Sequence, residues 1–261
     1  MADPRPARWR NIWIFAALVL GLGTLGGLNY FALDGLGGLL FILSPLLVTL
    51  AMRLFAGDGW GDVVWRPRLV RDARTYLAAL VLFPTLFAVT LGLGVLFGAV
   101  AFQPGWPAAL VAAILAGAPA ILFFAFSEEF AWRGYLDPRL AALGLADLPR
   151  HALVAVIWGL WHVGYILTLP HYTPLPWAVF FPLFALAIFA MTVIYGAWRA
   201  RTGTFWPAVL AHGVANTLAW PLLNPDIVSL TRPLLFSARP EALVVLAGLC
   251  VTAMILLRRG V

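Results

Sequence analysis

Between Arg74 and Glu128 lie 53 residues without a single Asp, Glu, Lys or Arg, and the run ends on two adjacent carboxylates. A soluble core does not hide that much uncharged apolar chain in one piece. A bilayer does, because about 20 helical residues cross its hydrocarbon core of roughly 30 Å. A charge placed inside that core is costly unless it is paired or neutralised, so Glu128 and Glu129 either mark an edge or are in use.

The rest of the chain obeys the same constraint. Of its 261 residues 63% are hydrophobic and 11% charged, the composition of a polytopic membrane protein. Apolar runs predict an all-α, polytopic membrane helix bundle of about eight transmembrane helices, over residues 11–33, 36–56, 75–102, 107–136, 151–169, 176–198, 203–221 and 241–257. They form a single integral-membrane domain, 1–261, whose motif-bearing core is about 107–221. The first run follows Arg5, Arg8 and Arg10 as in a signal peptide, but it is too long for one and reads as a retained anchor.

With the N-terminus cytoplasmic, fifteen of the 17 basic residues, all arginine, fall on the inner side, and only Arg232 and Arg239 fall outside. Positive loop residues stay cytoplasmic, which places both termini there. The net charge of +6 is then topological, and the expected partners are the lipid bilayer and a membrane-anchored or transmembrane substrate, with no nucleic acid. The loop GDGWGDVVWRPRLVRDAR mixes Trp, Val and Arg as a segment lying at the inner headgroups does. The single Cys250 excludes an intramolecular disulfide and a multi-cysteine metal cluster.

Four ionisable residues inside the spans need an explanation: Glu128 and Glu129 in the fourth, His162 in the fifth and His212 in the seventh. Eleven or twelve residues separate Glu128 from Arg139, His162 from Arg150 and His212 from Arg201. At about 1.5 Å per residue all three groups lie roughly 16–18 Å from the inner arginines, at one depth. Residues four apart share a helix face, so His212 points with Asn216, Trp158 with His162, and Glu129 pairs with Arg133. Glu129 and Arg133 read as a structural ion pair, whereas Glu128 has no partner at helical spacing. Trp132 and Trp158 read as packing residues or pocket walls, His151 and His171 as ordinary interface residues, and nothing assigns a role to Tyr135 or Ser127.

EEFAWR, WGLWH and HGVAN resemble, in order and spacing, the EExxxR, aromatic-xxx-His and HxxxN motifs of the CPBP-type intramembrane proteases, relatives of the type II CAAX prenyl endopeptidases also called the abortive-infection family. Trp158 stands where that family usually carries Phe. The resemblance implies an intramembrane endopeptidase cutting a membrane-associated protein or peptide near its C-terminus, in a bacterial or archaeal inner membrane. It makes Glu128 and His162 the activators of water, His212 and Asn216 the oxyanion site, and Glu129 and Arg133 their support.

Three alternatives stay open on the residues alone. Glu128, His162 and His212 could instead bind zinc with an open fourth position, although no HExxH is present; no cofactor is the preferred reading, because Asn216 is a poor zinc ligand. A non-catalytic peptide-binding or immunity protein needs no such quartet. A transporter predicts polar residues strung along a path and repeated halves, and here they gather at one depth.

Overall fold

In the computed structural model, residues 7–32, 35–169 and 172–259 are described; His171 and Arg5 lie outside them. The helices are α1 (Trp9–Leu28), α2 (Leu36–Leu54), α3 (Ala73–Leu96), α4 (Trp106–Ala131), α5 (Asp137–Ala142), α6 (Asp147–Thr168), α7 (Trp177–Thr202), α8 (Trp206–Leu222), α9 (Pro233–Phe236) and α10 (Leu243–Arg258). Two short strands, β1 (Val100–Phe102) and β2 (Val228–Leu230), complete the described chain. The protein is a helical integral membrane protein: six of these helical segments are long and apolar enough to cross a bilayer. The two remaining expected spans are α8 and α10, with 17 and 16 residues.

Two expectations are corrected. The apolar run predicts a third span to residue 102, but α3 ends at Leu96, and Gly98 at φ +63° turns the chain. The residues beyond it are extended and pair antiparallel with β2, Val100 opposite Leu230 and Phe102 opposite Val228. An apolar run does not by itself distinguish helix from strand, which is why the boundary was missed. The fourth span also does not stop at 136. A π turn over Trp132–Leu136, in which the Asp137 N–H bonds the Trp132 carbonyl, joins α4 to α5 as one helical rod of 37 residues.

Prolines inside the helices free carbonyls that must find other donors, because no water reaches them in lipid. In α2, Pro45 cannot bond Phe41 O, and the Ser44 hydroxyl donates to that carbonyl at 2.8 Å. Ser44 in turn accepts from Trp161 Nε1 at 2.9 Å, tying α2 to α6. The helix α1 packs between α2 and α6 through glycines. A Cβ at Gly26 would stand 2.9 Å from Phe41 Cα, and one at Gly27 would stand 2.9 Å from the Gly164 carbonyl carbon. The same close packing places α4 against α8 and α2, and α7 against α6 and α10.

The inner arginines are not all free loop charges. Arg53, Arg133, Arg139 and Arg150 are buried. Asp58, from the GDGWGD loop, accepts hydrogen bonds from Asn11 Nδ2 at 2.8 Å, Tyr135 Oη at 2.6 Å and Arg139 Nη1 at 3.0 Å. Arg53 binds Asp62 at 2.7 Å and donates to Gly134 O at 2.8 Å. Tyr135 therefore clasps this loop to the π turn. Ser127 donates to Ile42 O at 3.0 Å, joining α4 to α2. His151 is another correction: it is buried, at 2% exposure, with Nδ1 3.8 Å from Asp137 and its ring against Gly196 of α7. A Gly on α7 makes room there, a fact that spacing along α6 does not encode.

Candidate active site

The last turn of α4 carries Glu128 and Glu129 into the bundle, while from Trp106 to Phe124 no residue of that helix is buried. The acids thus sit where α4 changes from loosely to tightly packed. Glu129 is fully buried. Arg133 Nη1 lies 3.0 and 2.9 Å from its two oxygens, and His212 Nδ1 lies 2.9 Å from Oε1. The expected Glu129–Arg133 pair is present, and it also grips an imidazole 83 residues away.

Glu128 is 8% exposed. Its Oε2 accepts from Trp158 Nε1 at 2.8 Å and is 3.5 Å from Trp132 Nε1, so it does have a partner at helical spacing, an indole four residues on. Its Oε1 is 3.8 Å from His212 Nε2. Trp158 stands at the centre of the group: its ring lies 5.9 Å from that of His162 and 5.7 Å from that of His212, with the Arg133 guanidinium 4.6 Å from its centroid.

Acceptor chemistry fixes two protons. His162 Nδ1 is 2.9 Å from Trp158 O, and a carbonyl only accepts, so Nδ1 carries the hydrogen and neutral His162 presents an Nε2 lone pair. By the same reasoning His212 Nδ1 donates to the Glu129 carboxylate. Half-buried Asn216, one turn beyond His212 on α8, makes no side-chain hydrogen bond among the described residues. Glu128 Oε1, His162 Nε2, His212 Nε2 and the Asn216 carboxamide make no hydrogen bond among the described residues, and neither do Arg133 Nε and Nη2 and Tyr195 Oη beside them.

Zinc would need Glu128, His162 and His212 to close on one point. Among the described residues no group of three or more His, Cys, Asp or Glu side chains is arranged to hold a metal ion. Sequence reasoning missed Tyr195 of α7, which is fully buried, stacks on His212 at 6.3 Å and lies 4.9 Å from the Arg133 guanidinium. A tyrosine in an apolar span carries no periodic signal to single it out. The indole donors to Glu128 were also missed, because Trp in a membrane helix reads as packing.

Residues 107–218 match the family model described as type II CAAX prenyl endopeptidase Rce1-like. The match runs from α4 to α8 and holds all eight residues named above as catalytic, supporting or pocket-lining, so the resemblance to CPBP-type proteases holds over the motif-bearing core. No curated protein matches the chain.

Proposed function

We propose that this chain, a CPBP-type protease by the match of its core, is an intramembrane endopeptidase that hydrolyses a peptide bond near the C-terminus of a membrane-associated protein or peptide. The observation that carries the reading is the set of unpartnered polar atoms from α4, α6 and α8 around Trp158. A carboxylate oxygen and two imidazole nitrogens brought from three helices and left free to bind are the donor and acceptor set that a ligand or a reaction uses.

In this mechanism a water molecule donates one hydrogen bond to Glu128 Oε1 and the other to His162 Nε2. Glu128 takes the proton as the water oxygen bonds the scissile carbonyl carbon. The carbonyl oxygen becomes an oxyanion held by His212 Nε2–H and the Asn216 amide, in a low-dielectric site where fixed donors are most effective. His212 carries both ring protons for this role, and with Glu128, Glu129 and Arg133 it sums to a neutral cluster. Collapse of the oxyanion breaks the C–N bond, and Glu128 returns its proton to the leaving amine. Both termini and the 66–74 arginines face the cytoplasm of a bacterial or archaeal cell, which puts the site in reach of the inner leaflet.

Comparing C-terminal peptides of the membrane proteome in cells carrying wild type or Glu128→Ala tests the reading. Shortened termini that appear only with wild type support it. Identical termini, with a phenotype retained by the Glu128→Gln, His162→Ala double variant, favour a peptide-binding or immunity protein.

A further inference from the structure

We propose that Trp158 is a positioning residue, whose indole N–H selects which oxygen of Glu128 serves as base; this rests on the hydrolase reading above. A glutamate side chain has three rotatable bonds and two equivalent oxygens, so a donor fixed on one oxygen holds the other forward. Here Oε2 is engaged at 2.8 Å by Trp158 and faces Trp132 at 3.5 Å, and Oε1 alone is directed to His212.

The indole is itself fixed. Trp158 is 2% exposed, with Arg133 stacked over its ring and the Tyr195 ring 6.3 Å away. Its own carbonyl accepts from His162 Nδ1, which leaves the His162 Nε2 lone pair free to face the water. One residue thus orients both groups that bind the water, Glu128 through its side chain and His162 through its backbone. A charge-assisted N–H···O⁻ bond of this length is among the stronger ones available to a neutral donor. Phenylalanine at this position keeps the packing and the backbone bond but removes the hold on Oε2.

The test uses the full chain in nanodiscs with ¹⁵N-labelled indoles. In wild type the Trp158 N–H signal, assigned by its loss in Trp158→Phe or, if that variant does not fold, in Trp158→Tyr, is expected downfield, and in Glu128→Gln it moves upfield. With a prenylated Cys-aliphatic-aliphatic-X peptide as substrate, Trp158→Phe lowers kcat on the order of ten-fold with KM unchanged. A signal that Glu128→Gln leaves in place, or Trp158→Phe turning over at the wild-type rate, overturns the proposal. A peptide left uncut by wild type counts against the reaction class, while the indole signal still decides whether Trp158 holds Glu128.

Discussion

Glu129 Oε1 lies 2.9 Å from His212 Nδ1, so the second acid of the pair, on α4, orients an imidazole on α8. The fully buried Glu129 is held at the same time by Arg133 Nη1. Removing its charge while keeping its shape, as in Glu129→Gln, weakens the hold on His212, because an amide oxygen accepts less strongly than a carboxylate and brings no charge to face the ring. The expected result is a loss of kcat of about 10–100-fold with KM little changed and the protein still folded, read from initial rates alongside thermal unfolding. Wild-type turnover by Glu129→Gln would show that His212 needs no such hold.

Arg133 has a different consequence. Its side chain is fully buried, and Arg133→Met leaves Glu129 as a buried charge with one partner fewer. Breaking a buried pair from one side costs about 3–5 kcal/mol. Equilibrium unfolding in detergent should show a loss of that order in the single variant and a smaller one in Arg133→Met, Glu129→Gln. If the second change adds further destabilisation, the pair is not the source of the effect.

The α1–α6 contact is set by backbone approach. A Cβ at Gly27 meets the Gly164 carbonyl carbon at 2.9 Å, whereas one at Gly21 meets nothing within 4 Å. Gly27→Ala is expected to destabilise by about 1–3 kcal/mol, and Gly21→Ala to be neutral or stabilising by up to about 1 kcal/mol through helix propensity. Equal effects at the two positions would mean that α1 does not pack on α6 in this register.

Glu241 lies just ahead of α10 with its side chain 3% exposed and no hydrogen bond to Oε1 among the described residues; Arg239 Nη1, whose guanidinium lies over the Tyr172 ring, pairs with it loosely at 3.8 Å. Burial pushes its carboxyl above the ordinary value of 4.5, and Arg239 opposes the shift. A carboxyl that holds its proton more tightly when folded costs the native state stability as pH rises from the unfolded value through the folded one. Glu241→Gln should therefore match wild type near about pH 4 and exceed it at neutral pH. Thermal unfolding of both proteins across that range checks the sign, and a variant weaker than wild type at neutral pH refutes it.

Metal dependence separates the two water-activation chemistries. Chelator-washed protein is expected to keep its cleavage rate, with Glu128 as the base. Stoichiometric zinc by elemental analysis, with activity lost on its removal and restored on its return, would replace that account with Lewis-acid catalysis.

Hydropathy and helical spacing are local properties, and they were enough to expect a helical membrane bundle, the common depth of Glu128, His162 and His212, and the Glu129–Arg133 pair at i and i+4. Whether β1 was strand or helix, and what each arginine paired with, was not legible. An apolar run such as Val100–Phe102 takes its state from the partner that reaches it, here β2. Arg139 looked like an inner loop charge until Asp58, 81 residues earlier, closed on it.

The site divides in the same way. Sequence alone determined which residues share a helix face and how far along each helix they stand, because rise and period per residue are nearly constant. Only the tertiary structure decided that Glu129 meets His212, that two indoles take one oxygen of Glu128, and that Tyr195 stands behind them. Those contacts depend on the rotation of each helix about its own axis, which is set by glycine approaches, the π turn after Ala131 and the clasp at Asp58, all of them packing between distant segments.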